Sequence, residues 1–344
     1  MSDASASTAT ATTGIAKSPQ EIAPAAFGGH ESRDKTHAFA GTPTGTPETM
    51  QQYVGRFAPS PTGALHLGSL VAALGSYVDA RSRGGRWLVR MEDLDRARLR
   101  SGAADRILRI LETFGLHWDG PIEYQSERTE HYRQALETLT ALGATFECSC
   151  SRREHDRDSG YPGTCRAGPT RSGPTAVRFR VDDDVVVSVD DRLQGRCDFR
   201  LRERGDVIVR RRDGAFAYQL AVVVDDALQG VTDVVRGADL LDSTPWQIAL
   251  QQALKLPTPR YAHLPLVTEP DGEKLAKSKR SVPLDSTSAG RQLYRALSLL
   301  QQRPPAALEF EPAPVVLAWA CDHWDLTPLQ RVREVAATAY GTTV

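Results

Sequence analysis

No apolar run in this chain is long enough to cross a membrane as a helix, so an integral membrane protein of that kind is excluded. Excess positive charge is missing too. The net charge is −1, so no global basic field draws in a polyanion, and any such partner must be held by local patches. A disulfide framework is also absent. The five cysteines are an odd number, and three crowd together as Cys148, Cys150 and Cys165, a pattern that points to metal binding in a reducing cytosol. Residues 1–48 lack any apolar period and are rich in Ala, Ser, Thr, Gly and Pro, so a disordered tail is expected there. Without an apolar segment, and with Asp3, Glu21, Glu31 and Asp34, this tail fits a targeting peptide poorly. What is present is a chain of 344 residues, 40% hydrophobic, enough for a sizeable core in one large domain or two.

The remainder is organised around residues 54–69. Val54 to Phe57 is a short apolar run suited to a buried strand; Pro59, Pro61 and Gly63 then break regular structure. His66-Leu67-Gly68-Ser69 leads into Leu70–Val78, which has helical spacing. Strand, kinked loop and helix start form a phosphate site, because a helix start offers unpaired N–H groups and a positive dipole end. His66 is placed at that mouth to donate to a phosphate oxygen, and Gly68 lets a backbone or flat ring come close. Arg86–Met91 is a second strand ending in Glu92 and Asp93. The resulting βαβ unit binds ligands outside the carboxyl ends of its strands.

Far downstream, Lys274-Leu275-Ala276-Lys277-Ser278-Lys279 follows the turn Pro270-Asp271-Gly272. With this segment the sequence resembles the class I aminoacyl-tRNA synthetases: His66–Ser69 matches their HIGH motif, and Lys274–Ser278 their KMSKS loop. Arg56-Phe57-Ala58-Pro59-Ser60-Pro61-Thr62-Gly63 narrows the resemblance to the glutamyl branch. It implies an α/β fold, a Rossmann-like parallel sheet with an inserted zinc-bearing α+β subdomain and a short helical C-terminal tail. ATP, carried with Mg2+, is implied at His66, Gly68, Lys274, Lys277 and Ser278, with His66 and Lys277 catalytic. L-glutamate is implied at Arg56, Ala58, Ser60, Glu92, Tyr218 and Arg236, with Glu92 holding the α-amino group. The physics agrees: a carboxylate suits an ammonium, and a bidentate arginine suits a carboxylate. Ala276 departs from the family, where a serine is usual, and removes one hydroxyl from the loop.

Between these motifs, Ser101 is expected to cap a helix to about Phe114, and Ser243 another to about Leu254. Residues 176–212 look β-rich around an arginine-dense segment, either a self-paired solvated face or a set of tRNA phosphate contacts. Cys148, Cys150 and Cys165 supply three thiolates for zinc and leave a fourth position to Tyr161, His155 or water. The resemblance points to Tyr161, since a short paralogue branch of the glutamyl synthetases carries Cys-x-Cys and then Tyr-x-x-x-Cys as its zinc site. Such a closed site is structural.

The expected organisation is a tail (1–48), a first catalytic half (51–145), a zinc-bearing insertion (146–215), a second half with the KMSKS-like loop (216–283) and a short helical region (284–344). The shortness of that last region matches the short paralogue branch, which lacks an anticodon-binding domain. By resemblance the reaction is glutamate activation to an adenylate without tRNA. Transfer to queuosine at the first anticodon position of tRNA(Asp) follows, in the cytoplasm, by a monomer with no membrane contact. The alternatives are a truncated ordinary glutamyl-tRNA synthetase, an ATP-dependent ligase acting on a small amine, and a non-catalytic RNA-binding paralogue.

Overall fold

The structure, a computed structural model, describes residues 52–151, 154, 160–182, 184–269 and 283–337. The expected tail, His155 and the KMSKS-like segment with Lys274, Lys277 and Ser278 lie outside the described residues.

The predicted βαβ unit is present. Strand β1 (Val54–Phe57) passes through the proline loop to helix α1 (Leu67–Arg81) and then to β2 (Arg86–Met91), which pairs parallel with β1. Helix α2 (Ala103–Thr113) buries Ile107 and Leu111, one apolar stripe of its surface. Its cap differs from expectation. Gly102, at φ +66°, occupies the N-cap rather than Ser101, and no side chain closes the helix end, because the chain enters through a left-handed turn that glycine adopts without strain. A short β3 (Glu123–Tyr124) adds to β2, and α3 (Thr129–Ala141) follows.

Next come β4 (Thr145–Cys148) and β5 (Ala176–Phe179), then β6 (Val186–Asp191), β7 (Gly195–Arg200), the single turn α4 (Leu201–Arg204) and β8 (Val207–Arg210). Strands β4, β5 and β8 form a small antiparallel sheet. The β6–β7 hairpin does not join it, although it lies between β5 and β8 in sequence.

Helix α5 (Tyr218–Leu228) is followed by β9 (Asp233–Gly237), α6 (Thr244–Ala253), β10 (Arg260–Leu264) and β11 (Leu266–Thr268). Ser243 stands at the N-cap of α6 without a capping bond, since its hydroxyl instead accepts from Gln219 Nε2 at 3.0 Å. Strand β10 lies parallel to β9 on one side and to β6 on the other, giving the order β7-β6-β10-β9. The Thr232 N–H donates to the Val54 carbonyl at 2.9 Å, so the start of β9 abuts β1 and the parallel strands end at a common edge. The chain closes with α7 (Ala289–Leu299), α8 (Ala313–His323) and β12 (Glu334–Ala336), the last paired parallel with β11. One apolar core joins α1, β1, β2, α2 and the C-terminal helices; a second joins α3, α5, α6, β8 and β9. No described helix is long and apolar enough to cross a membrane.

Candidate functional site

The carboxyl ends of β1, β2 and β9 converge on a group of buried charges. Arg56, central in β1 and 3% exposed, donates from Nε and Nη2 to Asp226 at 3.2 and 3.4 Å. Arg90, in β2 and wholly buried, meets the same carboxylate at 2.7 Å and donates to Gln229 at 2.5 Å. Glu92, just past β2, lies 4.0 Å from Arg90, and its backbone N–H binds the Pro59 carbonyl at 3.0 Å, which ties it to the proline loop. Burial pushes the Glu92 carboxyl up to about 7; Arg90 and Arg56 pull the other way, while Asp226 and Asp225 add to the rise. Asp93, the neighbouring acid, is spent on structure: its two oxygens accept from Ser126 N–H and Oγ at 2.8 and 2.6 Å.

Across the pocket, Arg236 of β9 donates from Nη1 to the Tyr218 hydroxyl at 3.2 Å. Burial, the largest influence, raises the Tyr218 phenol, with Arg236 and Arg56 opposing and Glu92 adding to the rise. The structure therefore brings Arg56, Glu92, Tyr218 and Arg236 into one electrostatic neighbourhood. Ala58 is half-buried in the loop after β1, and Ser60 is exposed at the rim of the adjoining cavity.

That cavity, about 560 Å3, runs along the proline loop to His66 and Ser69. A second, of about 230 Å3, begins at the same two residues and passes Gly68 towards Gly237 and Leu264. His66 caps α1: its Nδ1 accepts the Ser69 N–H at 3.2 Å, so in the neutral ring Nε2 carries the proton. The backbone of His66 also forms a bridge to Pro283.

The three cysteines come together in the small sheet module. Cys148, Cys150 and Cys165 place their sulfurs within 4.8 Å of one another, and the Cys150–Cys165 pair is 3.5 Å apart. The Tyr161 phenol oxygen lies 3.4 Å from the Cys148 sulfur and 3.9 Å from that of Cys150. Four ligands around zinc, with Zn–S about 2.3 Å and Zn–O about 2.0 Å, stand roughly 3.5–3.8 Å apart, so this donor set fits such an ion. Burial above all raises the Tyr161 phenol, and the Cys165 N–H, which donates to the phenol oxygen at 2.8 Å, opposes that rise. The cluster can hold a metal ion. Arg212 supports it by donating to the Ser149 and Cys150 carbonyls at 2.6 and 3.0 Å.

Most of the arginine-dense segment is engaged within the chain. Arg196, Arg200, Arg204 and Arg211 meet Asp198, Glu203, Asp242 and Asp213, respectively, while Arg192 reaches Asp79. Sequence reasoning missed Arg90, His263 and Asp191 at the pocket. The signal for Arg90 was a charge inside an apolar strand two residues before Glu92.

The chain is similar to several known proteins. The family model for class I tRNA synthetases (E and Q), catalytic domain, matches residues 52–301. A curated glutamyl-Q tRNA(Asp) synthetase from Ectopseudomonas mendocina is 53% identical over 286 residues, covering 83% of this chain and 97% of that relative. Another, from Pseudomonas aeruginosa, is 53% identical over 281 residues, covering 81% and 96%. The crystal structure of glutamate-tRNA synthetase from Elizabethkingia anophelis superposes with a TM-score of 0.70 at 23% identity, covering 84% of this chain and 68% of that one, a likeness of fold.

Proposed function

Because the chain belongs to the class I tRNA synthetases of the glutamate and glutamine type, we propose that it activates glutamate with ATP and transfers it to queuosine at the first anticodon position of tRNA(Asp). The pocket supports the choice of amino acid. Arg56 and Arg236 offer two guanidinium groups to a dicarboxylate, and Glu92 offers its carboxylate to the α-ammonium, so each ligand charge has an opposite charge to face. The observation that carries the acceptor is the extent of the likeness, 53% identity over 97% of a relative that bears this name.

In the first step an α-carboxylate oxygen of glutamate attacks the α-phosphorus of ATP. The new P–O bond forms as the bond to the β-phosphate bridge breaks, giving glutamyl-adenylate and pyrophosphate. The His66 Nε2–H and the N-terminus of α1 stabilise the charge that builds on the phosphate oxygens, an effect felt most strongly in the transition state. Lys274, Lys277 and Ser278 are assigned to the same phosphates from the motif, and Gly68 lines the cavity proposed for the nucleoside. Magnesium bound with ATP adds charge neutralisation there. In the second step a hydroxyl of the acceptor attacks the activated carbonyl and AMP leaves.

Zinc held by Cys148, Cys150, Cys165 and Tyr161 would order the small module rather than enter the chemistry. We place the reaction in the cytoplasm, carried out by a monomer. The test is glutamate-dependent ATP–pyrophosphate exchange without tRNA, followed by glutamate transfer to tRNA(Asp) with and without queuosine. Exchange without RNA, with transfer only to the modified tRNA, is the expected result. Exchange only with tRNA(Glu) would mark an ordinary glutamyl-tRNA synthetase, and exchange under no condition would mark a non-catalytic paralogue.

A further inference from the structure

Behind Arg236 lies a buried pair that the reaction as described does not use. The His263 Nδ1 and the Asp191 Oδ2 are 2.5 Å apart, and both side chains are fully buried. On the other edge of the imidazole, Arg236 Nε donates to His263 Nε2 at 3.1 Å. We propose that Asp191 and His263 form a positioning relay that fixes the Arg236 guanidinium in the substrate pocket, through a neutral imidazole held in its Nδ1–H tautomer. The inference rests on the reading that Arg236 binds glutamate.

Hydrogen-bond inventory sets the tautomer. The Thr244 hydroxyl also lies 3.2 Å from His263 Nε2, but it gives its own proton to the Leu240 carbonyl at 3.1 Å and so leaves the ring nitrogen to Arg236. A guanidinium can only donate, so the nitrogen facing it must present a lone pair. The proton then belongs on Nδ1, where Asp191 accepts it. Asp191 is itself locked, because its Oδ1 accepts the backbone N–H groups of Leu193, Gln194 and His263 at 2.9, 2.8 and 3.2 Å, leaving Oδ2 to the ring. An imidazolium would set a second buried cation against Arg236. In agreement, burial above all lowers the His263 pKa, and Arg236 lowers it further against the opposing hydrogen bond from Asp191.

The remaining donors of Arg236 are nearly spent. Nη2 binds Thr244 Oγ1 at 2.9 Å and Gln247 Oε1 at 2.8 Å, and Nη1 gives one proton to Tyr218. With Nε held by His263, one Nη1 proton is left for a ligand among the described residues, so a small rotation of the guanidinium would misdirect it. Topology explains how the relay arises. Asp191 ends β6, which pairs with β10, the strand carrying His263. The hairpin between β5 and β8 thus builds the rear of the amino-acid pocket.

The experiment uses the full chain. Imidazole nitrogen shifts in 15N-histidine-labelled protein should show His263 neutral with its proton on Nδ1. In Asp191→Asn the three backbone donors keep the amide oxygen, so the amide nitrogen faces the ring and drives it to the Nε2–H tautomer, donor against donor at Arg236. Asp191→Asn and His263→Phe should raise the KM for glutamate in pyrophosphate exchange by about ten- to a hundredfold and leave the KM for ATP unchanged. His263→Gln should restore the KM to near wild type, because its amide can accept from Arg236 and donate to Asp191. An Nε2–H or cationic His263 in the wild type overturns the relay, even if every variant fails to fold. So does a wild-type glutamate KM in His263→Phe, or an equal rise for glutamate and ATP in all three variants. Arg236→Lys separates the two readings: an unchanged glutamate KM there removes Arg236 from the substrate site, and the relay falls as a positioning device with it.

Discussion

Glu92 is a carboxylate placed where its charge is costly. Burial pushes it up to about 7, against the pull of Arg90 and Arg56. For folding, an acid raised in this way contributes stability at low pH that is lost as pH rises from the ordinary carboxylate range through about 7. For the proposed binding of glutamate the sign is opposite, since an α-ammonium needs the ionised form. We therefore expect kcat/KM for glutamate to climb as pH rises through about 7 and then level off. Glu92→Gln should lower the plateau by about ten- to a hundredfold and remove this limb. A variant that keeps the limb would show that another group titrates. Glu92 and Arg56 were legible in the sequence because each belongs to a short motif whose spacing fixes a backbone shape. Arg90 and His263 were not. A charge in Arg86–Met91 and a histidine in Arg260–Leu264 look like ordinary strand residues until the fold shows both fully buried.

Among the elements, the small module is held by close backbone contact as well as by side chains. Tyr161 bridges Gly205 at the end of α4, where φ is +69°, and a Cβ on that glycine would lie 2.3 Å from the Tyr161 backbone N and O. Trp246 of α6 donates to the Gly205 carbonyl at 2.9 Å, so the same residue links the module to the parallel sheet's helices. Gly205→Ala should push the Tyr161 segment away, so that bound zinc falls well below one per chain by elemental analysis and Tm drops. Tyr161→Phe keeps the backbone and loses only the phenol oxygen; it should weaken zinc retention against a chelator by about ten- to a hundredfold. Full zinc content in Gly205→Ala would show that the bridge does not hold the ligand in place, and unchanged retention in Tyr161→Phe would exclude the phenol as a ligand. The cysteine spacing made this module legible, and apolar runs marked β5, β6 and β8. Strand β7 escaped notice because its alternate residues Arg196, Asp198 and Arg200 face solvent, and only pairing with β6 makes it a strand.

Distant parts of the chain meet at one carboxylate. Asp79 of α1 is fully buried, and it accepts from the Tyr53 hydroxyl at 2.5 Å, from two nitrogens of Arg192 at 2.6 and 2.9 Å, and from the Trp324 indole at 3.0 Å. It thus joins the entry to β1, the β6–β7 turn and the segment after α8, three regions with no sequence motif between them. Nothing in the sequence around Asp79 marks it, because apart from Arg83, one helical turn on, its partners are 26, 113 and 245 residues away. Burial by itself would raise this carboxyl, but hydrogen bonds and charge from Arg192, with help from Tyr53 and Arg83, hold it below the ordinary value. A lowered carboxylate contributes stability that is complete above the unfolded pKa and disappears as pH falls through the folded one. Asp79→Asn leaves the Arg192 charge without its main partner, and removing one side of a buried pair costs about 3–5 kcal/mol. Asp233, 3.5 Å from Arg192, recovers part of that, so a loss near the lower end, about 3 kcal/mol, is expected in urea unfolding at pH 7. The gap between variant and wild type should narrow in acid, where the wild type loses the same interaction. Amide protons of the segment after α8 should also lose protection at lower urea than far-UV ellipticity is lost in the variant, because that segment loses its anchor first. Coincident transitions at the wild-type midpoint would mean that the apolar contacts of α7 and α8 with α1 suffice to hold the C-terminal helices, and that Asp79 serves only the local geometry of α1.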